Sequence, residues 1–232
     1  MKSTDGQLRK RGMAEEADIR ALSQMPTADL LGLLVSGEPH IRSAAAINLC
    51  DCVDRVSSQL LLQLSRESCL YTRIAIGESL QEGSLITARK MADYLGRIGN
   101  NQHRVLPERV SAKKTFPLPR DIIARYMGRM DPAVFPFILE VLGSEDTVKI
   151  YEALDAAGDM VFRNPVLGNQ EHCEFLISLV FRHEADVMVR WKVILCLSVF
   201  PCRNARIFLR SHIDDGSVIG LEARRSLAWI GE

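Results

Sequence analysis

The residue types able to do chemistry are few here, and they are scattered. His183-Glu184 sets an imidazole beside a carboxylate, the minimum for sharing a metal ion. A metal centre needs several such pairs to converge, and His40, His103, His172 and His212 have no adjacent glutamate. A solvated turn is the expected role of the one pair. The six cysteines do not form a ligand set either. Cys50 and Cys52 diverge on a helix, while Cys173 and Cys202 lack close cysteine partners. Cys50, Cys69 and Cys196 sit in apolar helical patterns, where a thiol serves as a small hydrophobe, so reduced structural thiols are expected. There is no glycine-rich phosphate loop, nucleophile elbow or metal-ligand spacing. No catalytic, metal or cofactor-binding residue is therefore assigned, and a non-enzymatic role is expected.

The remaining chemistry is positive charge. Residues 99–125 carry His103, Arg104, Arg109, Lys113, Lys114, Arg120 and Arg125 against Glu108 and Asp121. The chain as a whole, 232 residues long, has zero formal net charge, so this stretch should stand out in the electrostatic field. It ends in Phe116-Pro117-Leu118-Pro119, which supplies apolar contact beside the charge and fixes the exit direction of the loop. The expected partner is an acidic or phosphorylated protein segment held by Arg104, Arg109, Lys113, Lys114, Phe116 and Arg120. The bland alternative is a solvated crossover loop with Phe116 and Leu118 tucked against the helices. Arg42, Arg73 and Arg190 sit near helix starts, where they either line a binding surface or bond to a neighbouring element. Trp191 and Trp229 lie in apolar frames and are expected in the core or as caps. Zero net charge gives no global pull toward nucleic acid or an anionic membrane. No apolar run is long enough to span a bilayer, and no apolar stretch follows Arg9-Lys10-Arg11, so a cytoplasmic location is expected.

The elements that must position these residues read as helices. Pro119 opens one, with Ile122, Ile123, Tyr126, Met127 and Met130 on one side. Asp131-Pro132 starts another, with Val134, Phe135, Ile138, Leu139 and Leu142 inward. Gly143-Ser144 breaks it, and a third starts near Glu145 with Val148, Tyr151, Leu154 and Val161. Spacing of i, i+3, i+4, i+7 gives each an apolar stripe. Further helices are expected over 13–25 and from Thr27, and Val193 to Phe200 is apolar nearly all round, as in a helix buried on every side. The helical pattern weakens from Gly99 to Pro119 and breaks again at 163–169.

Several stretches share a frame. Leu30-Leu31, then Gly37-Glu38-Pro39-His40-Ile41-Arg42-Ser43-Ala44-Ala45-Ala46, resembles a HEAT repeat of the short bacterial type. The frame returns at Leu61-Leu62-Gln63-Leu64 with Tyr71-Thr72-Arg73-Ile74-Ala75, and at Phe175 to Leu179 with Val187-Met188-Val189-Arg190-Trp191. The resemblance implies an all-α fold, a right-handed superhelix of about five to six helix pairs. It would span 13–232 as a single solenoid behind a disordered basic tail at 1–12, with an insertion at about 99–119. It implies a protein-interaction scaffold that takes a partner segment on its concave face. Two alternatives follow from relatives of the same repeat: nucleic-acid binding like that of alkylpurine DNA glycosylases, and bilin lyase or chaperone activity. HEAT-like deoxyhypusine hydroxylase gathers several His-Glu pairs on iron; this chain has one.

Overall fold

A computed structural model describes residues 4–113 and 115–231. Every regular element among them is helical. The chain divides into two compact units, one ending at Tyr94 and the other starting at Leu95. The helical frame stops at Ala92 and resumes at Ile122, with no helix between them among the described residues.

The first unit contains α1 (Asp5–Lys10), α2 (Glu16–Leu22), α3 (Thr27–Leu33), α4 (Pro39–Asn48), α5 (Val53–Arg66), α6 (Leu70–Gln81) and α7 (Leu85–Ala92). Helix α4 packs on α2, α3 and α6, and α5 packs on α6 and α7. Small residues allow the close approach of α4 and α6: Ser43, Ala44, Ala45 and Ala46 are all buried, and Ser79 Oγ donates to the Ala46 carbonyl at 2.8 Å. The expected disordered tail is instead docked. Thr4 caps α1, and Arg9 forms two hydrogen bonds to Asp18 at 2.7 and 3.0 Å. The Tyr71 N–H donates to the Arg11 carbonyl at 3.0 Å. Gly12 turns at φ +94° where a Cβ would strike Thr72. Local polarity suggested disorder, but these partners come from elsewhere in the unit.

The second unit contains α8 (Ile122–Met127), α9 (Phe135–Leu142), α10 (Thr147–Arg163), α11 (Gln170–Arg182), α12 (Val187–Cys196), α13 (Arg203–Arg210) and α14 (Val218–Ile230). One layer runs α8, α10, α12, α14, each packed on the next, while α9, α11 and α13 pack against it. The helix starts follow capping chemistry. Asp146 Oδ1 accepts from the N–H groups of Val148 and Lys149, and Asp186 Oδ1 from those of Met188 and Val189. Tyr151 OH donates to the other Asp186 oxygen at 2.6 Å, tying α10 to the start of α12. Val193, Ile194, Cys196, Leu197 and Phe200 are fully buried, as the all-round apolar pattern predicts. Among the described residues no helix is long and apolar enough to cross a membrane.

Candidate functional site

The residues from Leu95 to Asp121 carry no helix among those described, yet they are pinned at three places. Asp121, fully buried at the start of α8, accepts from the Gly96 N–H at 3.2 Å, Gln102 Nε2 at 2.8 Å and the Ala124 N–H at 2.8 Å. Burial raises its pKa, while these donors oppose the rise. Gly96 takes φ +70°, and a Cβ there would lie 2.5 Å from the Val148 side chain. The third pin is Phe116, whose ring is buried against Gly158 in α10. A Cβ on Gly158 would stand 2.1 Å from the ring, so only glycine admits this approach. Arg125 then holds the Pro119 carbonyl at 3.0 and 3.1 Å, fixing the exit.

Beneath the loop lies a buried charge cluster. Lys192 sits on α12 with no side-chain exposure; its Nζ donates to Asp155 Oδ2 at 2.9 Å and lies 3.6 Å from Glu152 Oε2. Both acids are on α10, three residues apart in sequence, hence on one face. One buried cation needs one counter-charge, and Asp155 at the shorter distance provides it. Burial pushes the Glu152 carboxyl up to about 7; the Lys192 charge opposes this, and the neighbouring Asp155 and Asp121 reinforce it. Glu152 Oε2 has no hydrogen-bond partner among the described residues.

Between loop and helices is a cavity of about 320 Å³. Pro107, Val110, Pro117 and Leu118 form its roof; Asp155, Trp191, Leu195 and Glu222 line the helical side. Arg109, Lys113 and Arg120 also line it, and none of these exposed cations has a carboxylate partner among the described residues. His103 meets the Trp191 ring edge-on, with centroids 5.0 Å apart. Burial lowers the pKa of His103, and the charges of Arg120 and Lys192 lower it further, so the ring senses a positive field. The two acids are already compensated, Asp155 by Lys192 and Glu222 by Arg225 at 2.6 Å. The field that remains is that of the three free cations. The Trp191 side chain is buried, and its indole N–H has no hydrogen-bond partner among the described residues.

The expected site residues thus divide. Arg109, Lys113 and Arg120 converge on the cavity. Phe116 is an internal anchor, not a contact for a partner. Arg104 donates to the Gly96 carbonyl at 2.9 Å. Lys114 lies outside the described residues. Arg42 is spent on Glu67, with two bonds of 2.8 Å, and on the Ser36 carbonyl. Burial alone would raise Glu67, but Arg42, the Cys69 N–H and Gln63 overcome it and hold the carboxylate at about 2. Arg73 is half-buried on α6 in the first unit, and Arg190 donates to the Glu184 carbonyl at 2.9 Å. His183 caps the C-terminal end of α11. All six cysteines are free thiols. Trp191, Lys192, Glu152, Asp155 and Glu222 were not singled out from sequence as a site. The available signals were a lysine inside an apolar helical frame and acids recurring on one face of α10.

Neither a protein-family model nor a curated protein matches this chain.

Proposed function

We propose that this chain is a HEAT-like repeat protein acting as a non-enzymatic interaction scaffold, whose second unit holds an acidic or phosphorylated group of a partner protein in the loop-roofed cavity. One observation carries the reading: Arg109, Lys113 and Arg120, exposed and with no carboxylate partner among the described residues, line one concavity. Cations that serve only solubility spread over a surface; these converge. Their convergence also favours a single anionic group over duplex nucleic acid. About three phosphate contacts give a salt slope near −3 and weak duplex affinity.

A peptide array probed with the purified chain tests this, followed by fluorescence anisotropy on the best sequences. Acidic or phosphorylated peptides should bind, and binding should weaken with salt. The triple variant Arg109→Ser/Lys113→Ser/Arg120→Ser should lose about tenfold or more in affinity. Its melting temperature should stay near wild type, because exposed and unpaired side chains contribute little to stability. Unchanged capture by the triple variant, or tighter binding of duplex DNA than of any peptide, refutes the reading.

A further inference from the structure

Three cations account for one end of the cavity ligand, but not for the whole volume. At about 30 Å³ per water the cavity holds on the order of ten waters, several times what one phosphate group displaces. The rest of the wall is mixed, with His103, Ser111, Asp155 and Glu222 beside apolar residues. Trp191 and Leu195 form one side, with Pro107, Val110, Pro117 and Leu118 opposite. The Trp191 ring is fixed in place by the His103 edge, at an interplanar angle of 77°. The roof is fixed by the Phe116 anchor and the Asp121 hub, so the two walls keep their separation without a ligand. Clefts that set apolar residues beside a few polar groups suit ligands with one polar end.

Resting on the anion reading above, we propose that the anion arrives on an aromatic ring: the cavity is a site for an aryl phosphate. The ring lies between the Trp191–Leu195 wall and the proline-rich roof, where offset or edge-on aromatic contact is favourable. The phosphoryl oxygens meet Arg109, Lys113 and Arg120. The dianion matches this donor set better than a carboxylate does, having three terminal oxygens for three cations. A phosphoserine would satisfy the cations and leave the apolar walls wet. Two sources supply this chemistry, a phosphotyrosine side chain of a partner protein and a free aryl phosphate.

Isothermal titration calorimetry of the full chain with phenyl phosphate, inorganic phosphate and phenol tests the proposal. Phenyl phosphate should bind at least about tenfold tighter than inorganic phosphate, and phenol should not bind measurably. Leu118→Ser changes a roof residue that is 37% exposed, so the fold is retained. It should weaken phenyl phosphate several-fold and leave inorganic phosphate unchanged. A phosphotyrosine peptide tighter than phenyl phosphate assigns the ring to a partner chain, and equal affinity assigns it to a small molecule; both support the aryl site. Equal binding of inorganic and phenyl phosphate overturns the aromatic carrier and leaves the anion site standing. Binding by neither up to about 10 mM overturns the aryl site and the anion reading together.

Discussion

Replacing Lys192 by Met tests the buried cluster most sharply. Methionine fills a similar volume and removes the charge. The Lys192 side chain is fully buried, and Asp155, 10% exposed, depends on it at 2.9 Å. Substitution leaves a carboxylate desolvated and unpaired. Breaking a buried pair in this way costs about 3–5 kcal/mol, mostly as the penalty of the stranded charge. Asp155→Asn in the Lys192→Met background removes the stranded charge and should recover more than about 2 kcal/mol, a coupling expected of residues in direct contact. Both tryptophans lie in the second unit, so tryptophan fluorescence in a urea titration reports on the unit that holds the cluster. A loss below about 1 kcal/mol refutes the view that Lys192 is required as the counter-charge.

Glu152 makes its own prediction. Its carboxyl is raised from 4.5 to about 7, so between those values the folded chain holds a proton that the unfolded chain has lost. Stability from this group is full below 4.5 and falls as pH rises through 7, by on the order of 3 kcal/mol. Glu152→Gln should flatten that slope in urea titrations from pH 5 to 8; an unchanged slope refutes the assignment. Glu67 runs the other way: held at about 2, its contribution is lost as pH falls from 4.5 toward 2, and Glu67→Gln should abolish that acid limb in thermal melts. Gly158→Ala would press a methyl into the Phe116 ring. Helix propensity favours alanine by about 1 kcal/mol, yet the overlap should cost about 1–3 kcal/mol. Trypsin should cut the freed loop at Arg104, Arg109 and Lys113 faster than in wild type, and unchanged cleavage would show that Phe116 does not pin the loop. Leu197 is fully buried, so Leu197→Ala should cost about 2–5 kcal/mol in the same urea assay. A loss well under 1 kcal/mol would place it at a surface.

The helices were legible because each carries an apolar stripe and a chemical stop. Asp131-Pro132 and Gly143-Ser144 bound α9, whose apolar residues face inward as their spacing requires. The all-α class followed from that periodicity. The weak pattern from Gly99 to Pro119 marked a stretch that has no helix among its described residues. Less legible were features that depend on distant partners. The helix at Asp5–Lys10 is polar, and its docking rests on Asp18 and on α6. Phe116 looked like a contact for a ligand because its pocket is made by a glycine far along the chain, in the middle of α10. Trp191 read as core, and it is buried; its unpaired N–H and its place in the cavity wall appear only once the loop folds over α12. The arginines divided in the same way. Sequence marked them all as cations, but only packing tells that Arg42 is neutralised by Glu67 while Arg109 and Arg120 are left free.

The central claim is that an anion occupies the cavity lined by Trp191, Arg109, Lys113 and Arg120. Proton–nitrogen correlation NMR reads this directly, because the chain has only two tryptophans and so two indole resonances. Trp229 lies in a neighbouring depression with Arg225 and Lys113, and a Trp229→Phe variant assigns its signal. On titration with phenyl phosphate, the Trp191 indole resonance should move and saturate as the ligand packs beside the ring, with Trp229 nearly still. A Trp191 resonance that stays in place, or a shift confined to Trp229, would contradict the account.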